Sequence, residues 1–538
     1  MGVNLLSRTF NYIGRTSYQS NLFHPHHTGV NAVLFTTVNQ LQFNHTAYGG
    51  RSLSNTSITS DCKRTTLNSI PLYECEKSAV NAVYNAVTAP QQQYERAFYI
   101  NDIGVVDRQY RRWCDELPNV RPYYAVKCNP DTVLLELLHG NGTGFDCASG
   151  DEMKQCLELG VSPNDIIFAN PIKSINDLKF ASERGIKKMT FDNIDELYKI
   201  QQLCPNAELV LRLLPDDSGS VMRFGSKFGA PAEHIDILLN TTKQLNLTLL
   251  GVSFHIGSGC YDPMKYDSAI KLARSTFNRA VELGLPPLKL LDLGGGFPGA
   301  PLGCHNSDGS PQFELFTNVI RNSLDEHFSD AKSCGIDIIA EPGRYMATAW
   351  STLFALVQGK RSVPVHDKQK KFLYYINDGV YGSFNCLMFD HAKANPIPAW
   401  KLWNNKLSLD SINTNKSHNT INTKMTQSMY INMYNAMIND INSGSSNNNE
   451  SSRYQQQRMV HSDSTSNTTL TKGTFFGPTC DSMDCIATDY PIEELHVGDW
   501  IAFEHYGAYT SAAATTFNGM PKPIINYVRS KLPSPMMN

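Results

Sequence analysis

Between about residue 120 and residue 345 the chain repeats one unit eight times: a short apolar run, a polar or glycine residue at its end, then a longer stretch with helical spacing. The runs are YYAVK (123–127), GFDCAS (144–149), IIFANP (166–171), MTFDN (189–193), ELVLRL (208–213), LLGVSFHIGSG (249–259), LKLLDLGGGF (288–297) and IDIIAEPGRY (336–345). Eight βα units close a (β/α)8 TIM-like barrel, and a span of roughly 230 residues suits that fold. In a barrel the carboxyl ends of the strands share one rim, where active sites are built. The polar residues at or near these ends are Lys127, Asp146, Asn170, Asp192, Arg212, His255, Gly294 to Gly296 and Glu341. Any one can be an ordinary strand-ending residue, and for Asn170 and Asp192 that is the better reading. The set as a whole predicts a reactive rim.

Outside the barrel, expected over residues 103–350, the texture changes. Short alternating segments such as TLFALVQGK, KFLYYIND, WIAFEHYGAYT and PIINYVRS predict a carboxyl-terminal all-β domain in two parts, 351–403 and 473–538, with residues 89–102 as an amino-terminal contribution. Between them, residues 404–472 are dominated by Asn, Ser, Thr and Gln, a composition that buries too little apolar surface to fold alone; a disordered surface insertion is expected. Residues 1–88 read as a disordered or targeting extension. The first 60 carry Arg8, Arg15 and Arg51 but no Asp or Glu, which suits either a tail in a cytoplasmic protein or a mitochondrial transit peptide.

A formal net charge of -3 over 538 residues, with Lys and Arg scattered singly, offers no basic field for nucleic acid. No apolar run approaches the ~20 residues that a membrane span needs. The thirteen cysteines include no CxxC pair and no zinc-like His spacing, so a reducing compartment and no metal site are expected.

Lys127 stands in Y-Y-A-V-K-C-N, where desolvation by apolar neighbours is expected to lower its pKa and free the amine to attack a carbonyl cofactor. The three glycines of L-D-L-G-G-G-F-P-G let backbone N–H groups close on a phosphate, and Arg344 in E-P-G-R-Y supplies a charged partner for it. Glu341 can hold a pyridine nitrogen protonated, though a Glu before Pro-Gly also serves as a cap or turn residue. His255 in F-H-I-G-S-G is either a buried, satisfied histidine or an imidazole lying flat on a cofactor ring. Ser258 beside it suits phosphate.

These residues, with the motifs YYAVKCN, FDCAS, FHIGSGC, LDLGGGFPG, AEPGRY, YYINDGVYGSFNC, FDHA, GPTCDSMD and GAYTSAAATTFNG, resemble the fold III pyridoxal-phosphate decarboxylases that act on ornithine, lysine or arginine, and among them the eukaryotic ornithine-specific group. The resemblance implies decarboxylation of L-ornithine to putrescine and CO2 with pyridoxal 5'-phosphate (PLP), in a homodimer whose sites are shared across the interface; whether antizyme is a protein partner the sequence leaves open. It implies that Lys127 bonds the cofactor, His255 stacks on its ring, Glu341 meets its nitrogen, and Ser258, Gly294, Gly295, Gly296, Arg344 and Tyr509 hold its phosphate. Asp146, Glu152 and Arg212 match cofactor-side residues. Cys480 resembles the proton donor, reaching in from the second subunit, and Asp390 and Asp481, with Phe389, the grip on the distal ammonium. Interface roles are implied for Lys227, Asp484, Gly507 and Phe517.

Overall fold

The computed structural model describes residues 67–89, 95–301, 312–363, 370–402 and 470–531; the expectations for residues 1–66 and for nearly all of 404–472 lie outside them. All eight apolar runs form strands: Arg121–Ala125, Gly144–Cys147, Ile166–Phe168, Lys188–Phe191, Glu208–Arg212, Thr248–Ser253, Leu290–Asp292 and Asp337–Ala340. Each pairs in parallel with the next, and the eighth returns to the first through Ile339 opposite Arg121 and Ala340 opposite Pro122, so the sheet closes into a barrel.

Period-2 alternation divides the strand side chains between two apolar zones. Tyr123, Ile167, Val210, Leu290 and Ile339, with Ala169 just past the third strand, form a cluster that fills the barrel interior. Tyr124, Phe145, Phe168 and Phe191 face outward and join the helix residues of the main core. Several of the helices start at a side-chain cap directly after a strand. Asp131, Ser149, Ser174 and Asn193 each accept backbone N–H groups of the first turn, a contact worth about 1 kcal/mol apiece. These caps fix the rim loops at the carboxyl ends.

The predicted runs extend past the strands at several carboxyl ends. Lys127 lies on a 3-10 turn, Val126–Cys128, and His255 and Glu341 follow their strands, so the reactive residues stand on rim turns.

The sheet domain centres on Ser351–Val363. Its first half pairs antiparallel with Phe98–Asp102 and with Trp500–Phe503; its second half pairs with Lys371–Ile376. Ile524–Ser530 adds in parallel to Phe98–Asp102. Two strands without a clear sequence signal, Thr471–Phe476 and Cys485–Ile492, complete the far edge. Thr471 and Lys472 therefore belong to the sheet and not to the expected insertion.

The amino-terminal extension also needs correction. Glu76–Val87, inside the segment expected to be unstructured, is a helix whose Ala79, Val80 and Val87 pack with Phe98, Phe354 and Trp500. Its apolar positions follow helical spacing, but only the sheet gives them something to cover. Among the described residues no helix is long and apolar enough to cross a membrane.

Candidate active site

The turn after the first strand places Lys127 at the mouth of a cavity whose wall includes His255, Gly295, Gly296, Glu341, Arg344 and Tyr509. Residues from the first, sixth, seventh and eighth barrel units thus meet at one point, together with Tyr509 from the sheet domain. Asn170 holds a local turn, whereas Asp192 ties down a segment 37 residues on. Asn170 accepts the Ile172 N–H, and Asp192 accepts the Gly229 N–H.

Lys127 Nζ donates to Asp146 Oδ2 at 2.7 Å, and the Asp146 carboxyl is fully buried. Burial favours the neutral amine, but the Asp146 carboxylate outweighs it and holds Lys127 above its ordinary value. This corrects the expectation of a lowered lysine pKa: a buried carboxylate at hydrogen-bond distance stabilises the ammonium more than apolar neighbours destabilise it.

His255 behaves oppositely. Burial, with Arg212 and Lys127 nearby, drives its pKa well below the usual histidine range. The Gly257 N–H donates to its Nδ1 at 3.0 Å, which leaves the proton on Nε2, and the Phe224 ring meets it edge-on at 4.9 Å. A neutral, oriented imidazole can lie against an aromatic ring at no electrostatic cost.

Glu341 is held far above the carboxylate range by burial and by Asp292 and Asp146, against the pull of Lys127 and Arg212, so it carries a proton. Asp292 was not singled out in the sequence. It ends the seventh strand, fully buried, with Oδ1 accepting the Gly294 N–H at 2.8 Å, and its pKa is pushed up to about 7 by burial first of all. Its signal was the D of L-D-L-G-G-G, which the glycines overshadowed. Glu152 accepts the Ala148 N–H at 2.6 Å, and Arg212 stacks over Phe228 at 5.2 Å.

At the other end of the cavity Arg344 Nη2 donates to Ser258 Oγ at 2.9 Å and to Asp390 Oδ1 at 2.6 Å, while its guanidinium lies 5.1 Å from the Tyr509 ring centroid. Ser258, Arg344 and Asp390 line an adjoining cavity of about 260 Å³. Phe389 is 70% exposed and lines neither cavity.

Cys480 and Asp481 line neither cavity as well. Cys480 is exposed; Asp481 accepts the Tyr381 hydroxyl and the Met483 N–H. Tyr381 stacks on Phe517, whose outer face is open to solvent, and Lys227 is exposed too. Asp484 is buried, its carboxylate engaged by Val380 N–H, Thr479 N–H and Thr479 Oγ1. Gly507 is buried as well, because a Cβ there would lie 1.9 Å from the Ala347 carbonyl oxygen. Asp484 and Gly507 therefore offer no free side chain at the surface of their own chain.

The residues at the rim fit PLP. Gly294 and Gly296 have φ of +60° and +115°, and a Cβ on Gly296 would sit 2.7 Å from the Gly257 carbonyl, so the cradle admits only glycine. Glu341 Oε1, Asp146 Oδ1 and Arg344 Nε are buried with no hydrogen-bond partner in the protein. Acid, imidazole, amine and anion cradle then stand where a ring nitrogen, ring face, carbonyl and phosphate would need them.

The comparisons agree. Residues 103–348 match the pyridoxal-binding domain of pyridoxal-dependent decarboxylases and residues 411–507 their C-terminal sheet domain. A probable ornithine decarboxylase of Dictyostelium discoideum is 39% identical, covering 81% of this chain and 80% of its own. Antizyme inhibitor 2 of Xenopus laevis is 37% identical, covering 81% and 82%. The crystal structure of an arginine decarboxylase from Paramecium bursaria Chlorella virus superposes with a TM-score of 0.66 at 30% identity, over 84% of this chain and all of that one. The fold, the cavity chemistry and these similarities together show that the chain belongs to the pyridoxal-dependent decarboxylase family.

Proposed function

We propose that this protein decarboxylates L-ornithine to putrescine and CO2, with PLP held at the barrel rim. The observation that carries the reading is the convergence of Lys127, neutral His255 and protonated Glu341 on one cavity that ends in the Arg344 and glycine cradle. Bound there, PLP supplies the electron sink that loss of an α-carboxylate requires. Lys127 tethers the cofactor, Glu341 holds a proton at the ring nitrogen, and His255 covers the ring face. Arg344, Ser258 and Tyr509 anchor the phosphate with the glycine N–H groups.

Substrate choice rests on charge. Asp390, through the Oδ2 that its pairing with Arg344 leaves open, and Asp481 offer carboxylate oxygens to a cationic side-chain end, and Cys480 carries the proton for the α-carbon. CO2 release from ornithine, lysine and arginine tests this, with Lys127→Ala as the inactive control. One methylene discriminates by only ~1 to 3 kcal/mol, so ornithine should lead by about tenfold or more. A preference for lysine or arginine would refute the substrate assignment.

Because Cys480 is exposed and lines neither cavity of its own chain, the reading includes a homodimer in which each subunit lends Cys480 and Asp481 to the other. Mixed subunits test it. Lys127→Ala and Cys480→Ala chains should exchange into dimers with one intact site, about half of them mixed, restoring about a quarter of wild-type activity. Exchange without recovery would place the whole site in one chain.

Similarity to an antizyme inhibitor makes antizyme the protein partner to test, but Lys127, Glu341, Arg344, Cys480 and Asp481 favour an enzyme over a non-catalytic binding protein. A cytoplasmic location is part of the same reading and rests on the cysteine-rich, CxxC-free sequence.

A further inference from the structure

Resting on that assignment of Lys127 as the tether, we propose that Asn129 is the positioning residue that sets Lys127 at the right distance from the phosphate anchor. A pyridoxal ring is rigid, so the separation of its carbonyl carbon from its phosphate is set by the molecule. A protein that bonds one end and clamps the other must therefore fix the two attachment points relative to each other, to within a few tenths of an ångström.

Lys127 rides on the turn Val126–Cys128, which has no side-chain cap. On its amino-terminal side Ala125 pairs with Asp146 in the ladder, while its bond toward the eighth strand, Ala125 N–H to the Pro342 carbonyl, is a long 3.4 Å. The turn is secured from its other end. Asn129, 3% exposed, donates Nδ2–H to the Gly507 carbonyl at 2.8 Å, accepts the Asp131 N–H on Oδ1 at 3.1 Å, and receives the Tyr124 hydroxyl on its own carbonyl at 3.0 Å.

The acceptor at Gly507 is itself immobile. Its N–H donates to the Thr348 carbonyl at 3.2 Å, and its Cα is pressed against Ala347 and Trp350 so closely that no Cβ fits. That wall continues directly from Arg344 through the short helix Arg344–Ala347. Two residues beyond Gly507, Tyr509 takes φ of +54°, rare for a residue with a Cβ, and its N–H donates to the Cys128 carbonyl at 2.9 Å. Two hydrogen bonds thus fasten the lysine turn to the wall that carries Arg344 and Tyr509. One is backbone to backbone; the other is the Asn129 side chain, which substitution can remove.

The test compares PLP with pyridoxamine phosphate, which has the same ring and phosphate but no carbonyl for Lys127 to bond. Full-length wild type, Asn129→Ala and Asn129→Ser are stripped of cofactor and titrated with each ligand, following absorbance and protein fluorescence. Ser keeps a short polar side chain that can still accept from Asp131, in case the alanine variant folds poorly. In both variants PLP affinity should fall about tenfold, as expected for one lost buried hydrogen bond, while pyridoxamine phosphate affinity stays within about twofold. An equal fall for both ligands would make Asn129 a scaffold residue only, and no fall for either would remove its role; each outcome overturns the proposal. Wild type that binds the two ligands equally would instead refute the tethering role of Lys127, and this inference with it.

Discussion

Asp292→Asn should stabilise the cofactor-free protein, and do so more as the pH rises. Asp292 is fully buried at the end of the seventh strand; one oxygen accepts the Gly294 N–H, and the carboxyl lies beside that of Glu341. Its pKa stands at about 7 against an ordinary 3.8, mainly because burial penalises the charged form. Between those two values the folded state binds a proton that the unfolded state has released, so this group's contribution to stability declines as pH rises through the window and levels off above about pH 7. Each tenfold in acidity is worth about 1.4 kcal/mol, so the full penalty is about 4 kcal/mol at pH 8 and about 2 kcal/mol at pH 5.5. Asparagine keeps the shape and the acceptor for Gly294 but cannot ionise. The gain in stability should therefore be about 2 kcal/mol larger at pH 8 than at pH 5.5, read as a larger rise in the thermal midpoint at the higher pH. A gain that is the same at both values, or a loss at both, would show that Asp292 does not titrate against a burial penalty.

Gly296→Ala should weaken PLP binding by more than about tenfold while leaving the fold intact, since φ of +115° and a Cβ 2.7 Å from the Gly257 carbonyl distort only the cradle; absorbance titration checks it. Asp146→Asn should lower the Lys127 pKa by removing the carboxylate 2.7 Å from Nζ, moving the pH dependence of covalent PLP attachment to lower pH; an unmoved profile would count against the pairing. Replacing residues 404–469 by a short Gly/Ser linker should preserve decarboxylation, because long loops cost only a logarithmic entropy term. The boundary stops short of Thr471 and Lys472, which pair with Ile492 and Pro491 in the sheet.

The eight barrel strands were legible because their signal is local: a few apolar residues, a polar stop and a helical stretch, repeated within about 30 residues each. The glycine run, E-P-G-R and Y-Y-A-V-K were legible for the same reason, and the barrel rule put them on one rim before any contact was known. Composition separated the sheet segments from residues 404–472, overrunning the strand by Thr471 and Lys472, and it misjudged Glu76–Val87, whose helix is stable only through what it covers.

What the sequence could not decide is everything set by distance across the fold. Whether Lys127 is held charged depends on Asp146, nineteen residues away, and not on the apolar residues beside it. Glu341 is held far above the carboxylate range by its own burial first, and then by a seventh-strand carboxyl, Asp292, beside it. The turn that carries the lysine is tied down by Gly507, 378 residues from Asn129. Sequence patterns report periodicity and residue type, which determine secondary structure and the chemistry available. Ionisation and alignment are energies of pairs, and those pairs exist only once the barrel has closed and the sheet has docked against its rim.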